Sequence, residues 1–481
     1  MNDLSLNPLR GERGTSLPPV ATPHIDSIGE QGLIFTRAYA AHATCAPSRV
    51  GLLTGREPQR FGLEFNPGSD AFASVLGKRS YSGIPGLFFE DRLGRSSQEA
   101  AGLPTSEVTL GELARAHGYR TGQFGKWHLG VEERYLPGNQ GFDRWTAFLA
   151  GFPFYLPKDD PRAVNAPLPI DAEFWMFPNA PPLRNGVPVE ADRLRTDLYA
   201  DEAIEFIRSE DDDRPFFAYL AFLAPHNPLQ ALKSDYDAIV GVEDHETRVY
   251  YAMIRALDRA IGRVLDALRE SGQMENTVIV FTSDNGGADY TEIWTHNQPL
   301  RGFKASFWEG GIRVPLFIRW DGAIAARGQM IETPVSLLDL FPTFDRLMGP
   351  ASVTTAGPLD GRALLTEEGG LLPRFGHEEL FWRAGEAVAY LGPQWKLIAT
   401  PRPEPGRVWL YSVGEGPAED HNLAKARPDI VESLLDRVRD HFDPMPPPRN
   451  VPAFEMPVRA EPPVPGDFER LDELDYMYWP G

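Results

Sequence analysis

Between Thr109 and Met348 this chain alternates helical segments of amphipathic pattern with short apolar runs, and few folds accommodate that alternation. Thr109-Leu-Gly-Glu112 has the spacing of a capping box and predicts a helix ending near Gly118, after which Tyr119–Phe124 reads as a strand. Thr196–Arg208 sets Tyr199, Ala203, Phe206 and Ile207 at helical spacing ahead of the apolar run Pro215–Phe222. Arg248–Arg269 carries Met253, Leu257, Ile261, Leu265 and Leu268 on one stripe and leads into the Val/Ile-rich segment Thr277–Thr282. A strand over Val314–Ile318 and a helix over Ser336–Met348 complete the series. The expected α/β fold is a large, mainly parallel sheet sandwiched by helices.

The chain has 481 residues, more than one hydrophobic core usually spans, so more than one domain is expected. Beyond about residue 350, Gly and Pro punctuate shorter pieces. Ala387–Leu391, Trp395–Ala399 and Val408–Tyr411 predict a small antiparallel sheet, and Asp429–Phe442 a closing helix. The Pro-rich stretch Asp443–Gly466 predicts extended chain, and the aromatic end Tyr476–Gly481 is expected to pack on the body. The division is therefore residues 1–349, a smaller α+β unit at 350–442, and a tail at 443–481. A second Pro-rich insertion, Phe152–Pro188, has the length of a functional loop.

Charge narrows the function. With 47 Lys+Arg against 68 Asp+Glu the net charge is −21, which excludes the basic footprint of a nucleic-acid binder. A single cysteine excludes an intramolecular disulfide framework. No stretch has the roughly 18 apolar residues of a membrane span, and no signal pattern opens the chain.

In α/β sheets ligands bind at the carboxyl ends of strands. Three predicted strands end in reactive groups: Gly125-Lys126-Trp127-His128, Ala224-Pro225-His226, and Ser283-Asp284-Asn285-Gly286. Any one of these has a structural explanation as a surface lysine, a hydrogen-bonded histidine or a turn; their common position is what singles them out. The lone cysteine opens Cys45-Ala-Pro-Ser-Arg49, where Pro47 suits the first turn of a helix and Gly55 its end. A helix start offers free N–H groups to an anion, and Arg49 adds a fixed positive charge. By itself Cys45 reads as a small buried side chain or as a thiolate nucleophile.

Cys45-Ala-Pro-Ser-Arg49 with Leu53-Thr-Gly-Arg56 resembles the Cys-x-Pro-Ser-Arg signature of the type I sulfatases, formylglycine-dependent enzymes of the alkaline phosphatase superfamily. Gly118-Tyr-Arg-Thr-Gly-Gln-Phe-Gly-Lys-Trp-His-Leu-Gly130 resembles the second sulfatase signature. Ser283-Asp-Asn-Gly286 is similar to the family's metal segment, Ala224-Pro-His226 to its sulfate-binding histidine segment, and Leu300–Lys304 with Glu309–Pro315 to the stretch carrying a second active-site lysine. Asn422-Leu-Ala424, after Leu410-Tyr411, is similar to its C-terminal pattern, so the likeness runs from about residue 20 to 425.

The resemblance implies an alkaline-phosphatase-like catalytic domain and hydrolysis of a sulfate ester to an alcohol, phenol or sugar and inorganic sulfate. It implies that a formylglycine-generating or sulfatase-maturating enzyme oxidises Cys45 to formylglycine, whose hydrated aldehyde is the nucleophile. One divalent cation, Ca²⁺ with Mg²⁺ as the alternative, would be held by position 45, Asp284 and Asn285; oxygen donors suit a hard cation, whereas a thiolate does not. Arg49, Lys126 and Lys304 would neutralise sulfate oxygens; His226 would bind sulfate and, with Lys304, assist the leaving alcohol; His128 would accept a proton from the second hydroxyl. The substrate would be a sulfated small molecule or saccharide. A phosphonate or phosphodiester hydrolase of the same superfamily, or an inactive truncated sulfatase-like protein, are the alternatives.

One departure stands out. Thr22-Pro-His-Ile-Asp26 matches the family, but the apolar strand ending in Asp-Asp that precedes it there is missing, and Asn2-Asp3-Leu4 resembles the segment just after that strand. The expectation is a chain truncated at its amino end, lacking a central strand and two metal ligands, with Asp3 a poor substitute on a free terminus. A signal peptide lost with that piece would make the protein periplasmic or secreted; otherwise it is cytoplasmic.

Overall fold

The computed structural model describes residues 20–66, 80–81, 83–94, 102–149, 153–172, 175, 180–209, 213–349, 353–416, 418–464, 471 and 474–480. Asn2, Asp3, Leu4 and Phe152 lie outside them. Two mixed five-stranded sheets form the body. In the first, Ile279–Thr282, Arg313–Arg319, Leu33–Tyr39 and Gln329–Ile331 lie side by side, and Val335–Ser336 also pairs with Leu33–Tyr39. Arg313–Arg319 runs antiparallel to both neighbours, so this sheet is less parallel than its sequence pattern suggests. In the second, Phe216–Ala221, Arg120–Lys126 and Arg144–Phe148 are parallel, and Leu183–Arg184 and Val187–Pro188 close the edge. The strand at Arg120–Lys126 extends two residues past the predicted Phe124 and so carries Lys126 as its last residue.

Alternate side chains feed two cores. Ile34, Phe124, Phe281 and Phe317 pack with Ile25, Tyr199 and Leu257 of the helices Pro23–Glu30, Arg195–Ile207 and His245–Glu270. Leu33, Phe35, Leu316 and Ile318 pack with Val50, Leu113 and Phe341 of the helices Cys45–Thr54, Leu110–Ala116 and Leu340–Met348. This is the period-two alternation of a sheet covered on both faces. The capping box is formed: Glu112 N donates to Thr109 Oγ1, and Thr109 N to Glu112 Oε2. Among the described residues no helix is long and apolar enough to cross a membrane.

The carboxyl-terminal part is a four-stranded antiparallel meander, Leu380–Ala384, Ala387–Leu391, Trp395–Thr400 and Arg407–Ser412, with the helix Pro428–Phe442 packing Leu434, Val438 and Phe442 on it. Part of the stretch predicted to be extended is not only extended but paired. Phe454–Arg459 is a strand, paired with Tyr476–Pro480 on one side and Leu87–Phe88 on the other. The prolines do not prevent this because Pro480 is on an edge strand and Pro457 lies beyond Phe454 and Glu455, the two residues that pair with Leu87–Phe88.

Among the described residues the two main sheets do not join. Phe216–Ala221 ends one and Ile279–Thr282 the other, and the residues of both edges line a cavity of about 710 Å³. Leu257, Ile261, Leu265 and Leu268 wall it on one side and Leu110, Leu340 and Phe344 on the other. At one end it meets Lys126, His226, Asp284 and Lys304.

Candidate active site

The helix Cys45–Thr54 is buried along its whole length. Thr44 at its start makes no side-chain cap; instead Ala46 N donates to Asn66 Oδ1 at 2.9 Å. Gly55, at φ 65°, ends it as the sequence predicts. Cys45 is 2% exposed. Burial alone would push its thiol up, but Lys126 and Lys304, with the rings of His128 and His226, bring it well below the usual thiol range. The side chain at position 45 thus stands among four cationic or proton-bearing groups from three other loops.

Each group arrives as the strand-end argument requires. Gly125, at φ 114°, lets the strand pass Ala221, whose carbonyl oxygen would lie 2.1 Å from a Cβ there. Lys126 then turns into the site, and His128 follows in a left-handed conformation (φ 61°) that costs a non-glycine residue about 1–2 kcal/mol. Its Nδ1 is buried with no hydrogen-bond partner among the described residues, and burial with Lys126 nearby lowers its pKa to about 4. His226 Nδ1 lies 2.6 Å from the Asn227 carbonyl oxygen and therefore carries the proton of the neutral ring. Its Nε2, 3.3 Å from Lys304 Nζ, is then the acceptor. Burial and both lysines hold the His226 pKa below its ordinary value.

Lys126 and Lys304 are 4% and 9% exposed, and among the described residues neither makes an ion pair within 4.0 Å. Arg49 does: its Nε donates to Asp284 Oδ2 at 2.8 Å, and its Nη1 to the Lys126 carbonyl at 3.0 Å. Buried ammonium groups cost several kcal/mol unless a counter-charge meets them. Three cations around one carboxylate make this a site for an anion. Sequence reasoning missed two members. Tyr219 Oη accepts from Arg49 at 3.3 Å, and Tyr290 Oη accepts from Lys304 at 3.2 Å. Tyr290 follows Asp284 by six residues in the same loop, and only the loop's path could reveal it.

Asp284 and Asn285 are hard oxygen donors at the mouth of the cavity. Among the described residues Asn285 Oδ1 is buried with no hydrogen-bond partner, while its Nδ2 donates to Gly286 O at 2.8 Å, so the orphaned oxygen suits a cation. Among the described residues no three His, Cys, Asp or Glu side chains cluster to hold a metal. The donor set fits a hard cation in kind and falls short in number.

The profile of the sulfatase family matches residues 13–350. Human N-acetylgalactosamine-6-sulfatase is 32% identical over 339 residues, covering 69% of this chain and 58% of its own length. Human arylsulfatase D is 28% identical over 491 residues, 86% of this chain and 77% of its own. The solved structure of Ps i-CgsB in complex with k-i-k-neocarrahexaose superposes with a TM-score of 0.73 at 27% identity, covering 93% of this chain and 91% of that one. This chain thus spans under two thirds of the N-acetylgalactosamine-6-sulfatase. Members of the family use a metal cation and formylglycine. The fold is the alkaline-phosphatase-like α/β arrangement. The chain belongs to the sulfatase family.

Proposed function

We propose that this protein hydrolyses a sulfate ester at position 45. The single observation that carries the reading is the pair of buried lysines facing Cys45, neither with an ion-pair partner among the described residues. A tetrahedral dianion or monoanion set among Lys126, Lys304 and Arg49 supplies the counter-charge these residues lack, and as charge shifts onto its oxygens the same donors stabilise it further. Formylglycine at position 45, once hydrated, would supply a hydroxyl nucleophile in place of the thiol.

The chain's own groups take the remaining roles. Neutral His226, its Nδ1–H held by the Asn227 carbonyl, presents Nε2 to Lys304. A proton passed from the Lys304 ammonium serves the leaving oxygen on that side. His128, kept neutral by burial and Lys126, is the proton acceptor on the other. Asp284 and Asn285 would hold Ca²⁺, which would orient and polarise the reacting oxygens when bound.

A sulfated saccharide or small molecule is the proposed substrate class, in keeping with the sulfatases it resembles. Parallel turnover of p-nitrophenyl sulfate and of p-nitrophenyl phosphonate and phosphodiester analogues tests the reading. Preference for the sulfate supports it, and preference for either phosphorus ester assigns the chain to the alternative activity. No turnover of any of them, without stabilisation by Ca²⁺, identifies the inactive sulfatase-like alternative.

A further inference from the structure

We infer that the carboxyl-terminal hairpin is a positioning clamp for Lys304, acting through Arg301 and Asp475. Lys304 stands on a loop with little regular structure of its own. Ala305 next to it is left-handed, at φ 64°, a conformation that surrounding contacts must impose. Those contacts come from three directions. Lys304 N donates to Gly287 O at 2.7 Å and Ala305 N to Ala43 O at 2.9 Å, tying the loop to the segments of Asn285 and Cys45. Gly302 N donates to Ala460 O at 3.0 Å, tying it to the hairpin formed by Phe454–Arg459 and Tyr476–Pro480.

Arg301 fixes that last connection. It is 9% exposed, and the hydrogen-bond partners of its side chain all lie on carboxyl-terminal segments. Its Nε donates to Glu461 Oε1 at 2.7 Å, its Nη2 to Asp475 Oδ2 at 2.6 Å, and its Nη1 to Tyr411 Oη at 3.0 Å and Glu419 O at 2.8 Å. Asp475 is held in turn by Trp409 Nε1 at 2.8 Å. The planar fork of a guanidinium fixes direction as well as distance, so the residue three before Lys304 is locked to the small sheet and the hairpin together. The hairpin reaches the other site loops too. Arg459 N donates to Asp289 Oδ2 at 3.2 Å, beside Tyr290, and Trp479 packs on His42 and Phe307 with ring centroids 5.4 and 5.0 Å apart.

The kinetic part of the test rests on the sulfatase reading; the exchange part does not. Asp475→Asn keeps the shape and removes the charge. Hydrogen exchange at the amides of Gly302 and Lys304 is expected to accelerate at least about tenfold while the strand Arg120–Lys126 keeps its protection. With p-nitrophenyl sulfate, kcat is expected to fall about tenfold or more at a KM within about twofold, and Asp475→Glu to recover most of it. Should Asp475→Asn fail to fold, Glu461→Gln, at a half-exposed carboxylate, gives the same pattern more weakly. Unchanged loop exchange in a folded variant, or a loss confined to KM, overturns the clamp. Accelerated exchange in a protein that turns over no sulfate ester supports the clamp and counts against the sulfatase reading alone.

Discussion

Replacing Lys304 with methionine separates a catalytic role from a structural one because the two predict opposite changes in stability. The ammonium is 9% exposed, lies 3.3 Å from His226 Nε2 and 3.2 Å from Tyr290 Oη, and has no carboxylate within 4.0 Å among the described residues. If it serves to meet charge that develops on the substrate, its loss removes one preorganised donor, about 3–4 kcal/mol or 10²–10³ in kcat. Burial disfavours the Lys304 ammonium, while Cys45, Tyr290 and Asp284 together hold its pKa above the ordinary value; in matured protein, with no thiolate at position 45, methionine of nearly the same volume should raise the unfolding free energy by about 1 kcal/mol or more. The pH dependence moves as well. Lys304 is one of the groups holding the His226 pKa down, so the acid limb of the rate profile should shift upward in the variant. Turnover of p-nitrophenyl sulfate against pH, with thermal unfolding of the same preparations, reads all three. A stability loss accompanied by a kcat drop of less than about tenfold would refute the reasoning.

Other consequences arise from the same geometry. Inorganic sulfate should raise the melting temperature, by the equivalent of about 2.7 kcal/mol at a hundred times its Kd, and Lys126→Met should remove most of that shift. Asp289 is buried and its carboxyl is pushed up to about 7, above the unfolded value of 3.8, so the stability it gives at low pH is lost as pH rises between those values. Asp289→Asn should therefore flatten the denaturation midpoint over that window, by up to about 4 kcal/mol, as urea titrations at a series of pH values would show. Gly125→Ala would bring a Cβ to 2.1 Å from Ala221 O at φ 114° and should cost about 2 kcal/mol or more in chemical denaturation.

Where the sequence pattern was local, it predicted the structure well. Thr109 and Glu112 are three apart and form their capping box; Gly55 ends its helix for reasons that need no distant partner. Lys126, His128, His226, Asp284 and Asn285 came together because strand ends gather by topology, and each is visible as a short motif. The illegible parts depend on distant chain. Leu33–Tyr39 is a central strand whose partners, Arg313–Arg319, lie some 280 residues away, and its own seven residues carry no alternation to announce it. Tyr290 and Tyr219 enter the site because of how a loop and a strand are aimed. The hairpin at Phe454–Arg459 hides in a proline-rich stretch because its pairing partner, Tyr476–Pro480, makes it a strand and its own propensity does not. The cavity between the edges of the two sheets is lined by residues from both strands and from several helices, a juxtaposition no single motif displays.

Peptide mass spectrometry across Cys45, on protein produced with and without a formylglycine-generating enzyme, addresses the nucleophile directly. The fraction carrying an aldehyde in place of the thiol should track the rate of sulfate ester turnover from one preparation to the next. Full turnover by material whose peptide holds only the unmodified thiol would contradict it.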